Sequence, residues 1–169
     1  LMLLCHVKGS QLHESQQSYK GRIVYCGNET FDEDGDLAVF STQGTGASHM
    51  SAAKYVDAIA RLPGNDGGDA DASGAYTQIS LKGNRAFITP PQDWWTPEMK
   101  AIRRKSWSDP VVELIVNLYG HPKAGLYWED HCHSAIKRCG FEKVDDWECL
   151  FKHHEKQLFL SVYVDDFKI

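Results

Sequence analysis

Long hydrophobic runs are missing from this chain. Its apolar opening, Leu1-Met-Leu-Leu-Cys5, lacks a basic flank and is far too short to cross a bilayer, and nothing resembles a secretory signal. No membrane partner is therefore expected. An excess of positive charge is missing too: 18 Lys and Arg face 23 Asp and Glu, for a net charge of −5. Bulk charge thus argues against a nucleic-acid binder, although a basic groove can coexist with an acidic remainder. Five cysteines form an odd set without a regular framework, which points to a reducing compartment. Several chemistries lack their signatures. There is no G-x-S-x-G elbow. Gly64, Gly67 and Gly68 precede an acidic segment and lack the Lys-Ser/Thr of a phosphate-binding loop. The carboxylates Glu29, Asp32, Glu33, Asp34 and Asp36 lack calcium-loop spacing and read as a solvated loop. No internal repeat or low-complexity tract appears.

What is present reads as a globular domain, or a piece of a larger one. At 169 residues, 42% apolar and 24% charged, the chain can bury a sizeable core. Residues 6 to 20 are polar without apolar periodicity and read as a loop, followed by a strand over Lys20–Gly27. A helix is expected from Ser48 to Leu62, capped by Ser48 or Ser51, with Met50, Ala53, Val56, Ile59 and Ala60 on one face and Pro63-Gly64 ending it. Ala86–Pro91 is a strand stopped by a proline pair. Lys100, Arg103, Arg104 and Lys105 are the densest basic cluster, a solvated face or a set of phosphate contacts. Val111–Leu118 suits a strand or the opening of a helix. Trp128, Cys132, Ala135, Ile136 and Cys139 recur at helical spacing up to Gly140, so both cysteines belong on a packing stripe, with Glu129, Asp130 and Lys137 outside. Asp145-Asp146 marks a turn, Cys149–Phe151 a strand, and His153–Lys156 a hairpin connection.

The closing stretch, Gln157-Leu-Phe-Leu-Ser-Val-Tyr-Val-Asp-Asp-Phe-Lys168, is the most informative. Leu158, Leu160, Val162 and Val164 share one strand face and Phe159, Ser161 and Tyr163 the other, so the strand is apolar on both faces and buried on both. Two adjacent carboxylates, Asp165 and Asp166, then disfavour joint ionisation unless a divalent cation neutralises them. They read either as half of a metal site or as a polar turn. Only three residues follow, which leaves the hairpin without a return strand and the sequence reading as a piece of a longer polypeptide. A rival metal set, His131, Cys132, His133, Cys139, Cys149, His153 and His154, lacks the paired two-to-four-residue gaps that zinc sites favour. A third carboxylate, Asp71, follows a turn and precedes the aromatic Tyr76. Three Asp residues holding two cations about 3.5–4 Å apart make the clamp for in-line phosphoryl displacement.

At these residues the sequence resembles a known family. Asp71-Ala-Ser-Gly-Ala-Tyr76 is similar to the first catalytic motif of reverse transcriptases, and Tyr163-Val-Asp-Asp166 to their Y-x-D-D signature. Leu118-Tyr-Gly-His-Pro-Lys-Ala-Gly-Leu-Tyr-Trp128 resembles the L-Y-G-L-K-Q-A-P-R-x-W block of copia-type retrotransposons. Gly140-Phe141 with Leu150-Phe151, Lys20-Gly-Arg-Ile-Val24 and Phe87–Pro91 resemble further blocks, in order, over residues 18 to 169. Lys123 stands where that family has Gln, Gly125 where it has Pro, and Trp147 where it usually has Asp.

The resemblance implies an α+β fold of polymerase type: fingers and palm, an antiparallel palm sheet flanked by helices, and no thumb. Residues 1–70 would be fingers and the helix leading into the palm, 71–83 the first catalytic motif, 84–120 a fingers–palm connection and 121–169 the rest of the palm. It implies RNA-directed DNA polymerisation, with Asp71, Asp165 and Asp166, and Ala72 through its backbone, holding two magnesium ions or manganese in their place. Lys20, Arg22, Ser73, Gly74, Ala75, Tyr76 and Lys123 would bind the incoming deoxynucleotide. Ala72 to Gly74 would offer N–H groups to its triphosphate, and the Tyr76 ring would exclude a 2′-hydroxyl. Tyr163 and Val164 would lie at the primer terminus. Implied partners are an RNA template, a DNA or RNA primer, deoxynucleotides, and integrase and RNase H domains of the same polyprotein. The implied compartment is intracellular, a cytoplasmic particle or the nucleus. Without a thumb, this stretch alone is expected to extend a primer poorly. The competing reading is a degenerate, non-catalytic remnant that binds nucleic acid or a partner.

Overall fold

The computed structural model describes residues 1–38, 50–106 and 108–169. The chain divides into two compact units, Leu1–Val39 with Ser80–Ala124, and Phe40–Ile79 with Gly125–Ile169.

The first unit begins with a two-stranded antiparallel ribbon, β1 (Met2–Lys8) and β2 (Ser18–Val24), in which His6 pairs with Lys20 and Leu4 with Arg22. The loop expected over residues 6–20 is therefore confined to 9–17. His6, Val7 and Lys8 have no apolar pattern to announce a strand; they become one because β2 supplies backbone partners. Tyr25 follows β2, buried, its N–H donating to the Tyr119 carbonyl at 2.7 Å. Gly120 passes so close that a Cβ there would meet the Tyr25 carbonyl at 2.1 Å, and its φ of +88° adds a second need for glycine. β3, the strand Asp69–Asp71, belongs to the second unit. β4 (Phe87–Ile88) pairs with β5 (Val112–Glu113), pinned by a two-pronged Arg85–Glu113 ion pair at 2.7 Å per contact. Pro90-Pro91 ends β4, and buried Trp95 donates from Nε1 to the Pro90 carbonyl at 2.9 Å. Thr96 and Pro97 start α2 (Pro97–Ser106), Thr96 Oγ1 accepting the Met99 N–H at 3.3 Å.

The second unit is a five-stranded antiparallel sheet in the order β3-β9-β8-β7-β6, with β6 at Glu142–Lys143, β7 at Leu150–His153, β8 at Leu158–Tyr163 and β9 at Asp166–Lys168. A return strand does exist, and it opens on Asp166 itself. Three residues suffice because β9 is bonded on both sides, to β8 and to β3, and Gly68 and Ile169 exchange two further backbone bonds at 2.8 and 2.9 Å. The apolar alternation of β8 fills both faces. On one, Leu160, Val162 and Phe151 pack with Trp128, Cys132 and Ile136 of α3 (Ala124–Arg138). On the other, Leu150 packs with Ala52 and Val56 of α1 (Met50–Ala60), with Phe159 and Trp147 beside them. The result is a sheet with a helix on each face.

Gly140, at φ +88°, ends α3 as the sequence predicts, and a Cβ there would meet the buried His153 ring at 2.8 Å. Two helix expectations need correction, and a third lies partly outside the described residues. Ser48, the alternative cap of α1, lies outside the described residues, and Ser51 is already helical. Met50 is exposed; of the expected face Val56 is buried and Ala53, Ile59 and Ala60 are half-buried, and Ala52 joins Val56 on the inward stripe. Cys139 is exposed as well, one residue past the end of α3, whereas Glu129 is half-buried. Leu150 is 1% exposed and Met50 72%. Leu150→Ala is therefore expected to destabilise the fold by about 2–5 kcal/mol, and Met50→Ala by less than about 0.5 kcal/mol, in urea unfolding.

Candidate active site

The sheet register assembles the site. Asp71 is the direct cross-strand partner of Asp166, and Asp166 of Tyr163. Directly opposed residues of antiparallel strands point to one face, with Cα atoms about 4.5–5.5 Å apart. Asp71, Asp166 and Tyr163 thus form a row on the face that also carries α1. Two residues along on each strand, and so on the same face, Lys168 Nζ contacts Asp57 of α1 at 2.5 Å and Asp69 at 3.7 Å, which raises the Lys168 pKa through the Asp57 hydrogen bond.

Asp165 sits in the two-residue turn, Val164-Asp165, that joins β8 to β9. Its carbonyl accepts the Ala72 N–H at 2.7 Å, tying the turn to the loop that follows β3. Val164 has φ +54°, a left-handed conformation that costs a β-branched residue about 1–2 kcal/mol. Trp128 holds it there, Nε1 donating to the Val164 carbonyl at 2.5 Å. Strain of this kind persists where surrounding structure over-determines it, and such places cluster at functional sites.

The loop after Asp71 is equally defined. Gly74, at φ +64°, leads into a short 3-10 turn, Ala75–Gln78. Thr77 Oγ1 donates to the Gly74 carbonyl at 2.8 Å and Gln78 Nε2 to the Ser73 carbonyl at 2.9 Å. The expectation that Ala72 offers its N–H to a phosphate is corrected, since that hydrogen is committed to Asp165. Ala75 is buried and its N–H bonds the Ala72 carbonyl at 3.1 Å, so it packs in the core and presents nothing to a nucleotide. Tyr76 lines a small recess with Gly125, Trp128 and Val164, so the expected sugar-sensing ring and primer-terminus residue meet there. Lys20 and Arg22 lie on β2, Arg22 5.7 Å from the Tyr119 ring centroid, and Lys123 precedes α3; all three belong to the first unit.

Among the described residues, no three His, Cys, Asp or Glu side chains converge well enough to hold a metal ion. The register brings two carboxylates opposite each other and leaves the third on the adjoining turn. Their all-oxygen donor set suits a hard divalent cation.

The thiols and imidazoles go elsewhere. Burial pushes the Cys132 thiol up to about 11 and raises Cys149 too. Burial also lowers His133, whose ring packs edge-on against Phe151, while His153 packs against Phe141. Sequence reasoning missed Trp128 as the anchor of the Val164 turn and the Asp57–Lys168 pair. The first had a signal, an aromatic on the inner helical stripe; the second had none.

No family model and no solved structure matches this chain. Curated sequences do. It is 32% identical over 97 residues, 57% of its length, to the truncated transposon Ty1-A Gag-Pol polyprotein of Saccharomyces cerevisiae, covering 7% of that protein. The transposon Ty1-DR5 Gag-Pol polyprotein matches to the same extent, with 5% of its length covered. This chain is similar to a segment of copia-type retrotransposon Gag-Pol polyproteins. It spans a small part of the length of these relatives.

Two outcomes follow for this retrotransposon-like segment. At pH 7.5 a thiol reagent such as 5,5′-dithiobis(2-nitrobenzoate) labels Cys5 and Cys139 rapidly, and Cys132 and Cys149 only on unfolding, because the thiolate is the reactive form. Trp128→Phe lowers stability by about 0.5–1.5 kcal/mol beyond any packing loss, and shifts the amide resonances of Val164 and Asp165.

Proposed function

We propose that this chain carries the fingers-and-palm chemistry of an RNA-directed DNA polymerase, adding deoxynucleotides to a primer 3′ end. The observation that supports the reading best is the register of β3 on β9. It sets Asp71 against Asp166, 95 positions later in the chain, and beside the Asp165 turn. The similarity to Gag-Pol polyproteins fits the same reading at the level of the whole element.

The chain's own groups divide the work. Asp71, Asp165 and Asp166, with the Ala72 carbonyl, would hold the cations. Two magnesium ions bound there would supply Lewis-acid activation of the primer hydroxyl and neutralisation of the leaving pyrophosphate. Ser73 and Gly74 present N–H groups to the triphosphate. Lys20, Arg22 and Lys123, in the first unit, are the cations that the sequence resemblance assigns to the triphosphate, Lys as a point charge and Arg as a fork. Tyr76 and Val164 share the recess against which the sugar and the primer terminus rest, and Tyr163 extends the row on the carboxylate face. RNA template, primer and deoxynucleotides are the partners this reading requires, with integrase and RNase H as companion domains. A second reading, a non-catalytic remnant, draws on a specific observation: the three carboxylates do not converge as they stand.

Primer extension on an RNA template, by the polypeptide that contains this segment, separates the two. Extension is expected to require magnesium and to fall at least about 100-fold in Asp71→Asn, Asp165→Asn and Asp166→Asn. Undiminished extension in Asp165→Asn would sink the polymerase reading, and no extension by the unmodified protein would favour the remnant.

A further inference from the structure

α2 leaves most of its surface open. None of its residues is fully buried: Met99 and Arg103, one turn apart, are half-buried, and Ile102 is 53% exposed. Lys100, Arg104 and Lys105 are exposed, and among the described residues none of them has a carboxylate within ion-pair distance. Arg103 is engaged, with Asp109 at 3.2 Å. Lys100 and Arg104 are one turn apart on the same face, an arrangement of like charges that destabilises an isolated helix. The Arg104 Nε donates back to the Lys100 carbonyl at 3.3 Å, and the side chain remains exposed. Cations in the last turn would be accounted for by the helix dipole. Lys100 would not, since it is the fourth residue of α2. Just before the helix, Trp94 is 47% exposed.

We propose that α2 is a docking surface for the phosphodiester backbone of a single nucleic-acid strand, with Lys100, Arg104 and Lys105 contacting phosphates and Trp94 stacking on a base. Exposed cations with no carboxylate partner among the described residues, on a helix that follows an open aromatic ring in the chain, are the kinds of group that single strands recognise. The choice of nucleic acid among polyanions rests on the polymerase reading; the surface itself requires neither metal nor chemistry.

The test is binding of a fluorescent 20-nucleotide single-stranded RNA, followed by anisotropy from low to high salt with EDTA present. Each cation contacting a single strand contributes about 0.7 to the slope of log K against log salt. Lys100→Gln/Arg104→Gln/Lys105→Gln is therefore expected to flatten the slope by about 2 and to weaken low-salt binding at least about 10-fold, with an unchanged circular-dichroism spectrum. Should the triple variant lose helix, Lys105→Gln alone is expected to flatten the slope by about 0.7. Trp94→Ala is expected to weaken binding without changing the slope. An unchanged slope and affinity, or polyglutamate competing as well as unlabelled RNA, overturns the proposal. Tighter binding of the matching duplex overturns the single-strand assignment. A flattened slope in a protein that never extends primers keeps this surface and removes the polymerase reading. Asp-dependent extension with an unchanged slope does the reverse.

Discussion

Everything at the candidate site depends on backbone hydrogen bonding along one short strand. β9 has three residues, yet it sits between β3 and β8 and fixes both neighbours. A strand's side chains alternate, so a slip of one residue would turn Asp166 to the opposite face and set Phe167 against Asp71. What prevents the slip is burial. Phe167 packs among the α3-side residues while Lys168 meets Asp57 on the α1 side, so the two faces of β9 have incompatible partners. The carboxylates are thus placed by apolar packing on the far side of the sheet.

Much of the second unit was legible in residue patterns. The double-sided apolar run of β8, the α3 stripe and its closing Gly140 are strong local signals, and the structure contains the run over Leu158–Val162, the stripe as far as Ile136 and the glycine, whereas Tyr163 is exposed and Val164 lies in the turn. The misses share a cause. β1 and β9 carry little local preference and exist because a neighbouring strand completes their hydrogen bonds. Met50 and Cys139 sit at helix ends, where rotation about the axis is set by what the helix rests on. A sequence states which residues want burial; it does not state which neighbour arrives to bury them.

The site divides along the same line. Residue types and order around Asp71 and around Asp165-Asp166 could be read directly, as could their likeness to retrotransposon blocks. The internal wiring could not. That the Ala72 N–H is spent on Asp165, that Ala75 belongs to the core and that Trp128 restrains Val164 are facts of tertiary hydrogen bonding. They take the Ala72 N–H and Ala75 out of the set of groups that the motif suggests for this loop.

The brevity of β9 makes the aspartate row a matter of local equilibrium. Segments open in proportion to how few bonds and contacts hold them, often far more readily than the whole domain unfolds. Separating β3 from β9 breaks only the pairing of Asp69–Asp71 with Asp166–Lys168 and its Gly68–Ile169 extension. Any ligand that bridges Asp71 and Asp166 would therefore act as a clasp across that ladder, and the pairing and the ligand would each strengthen the other's hold.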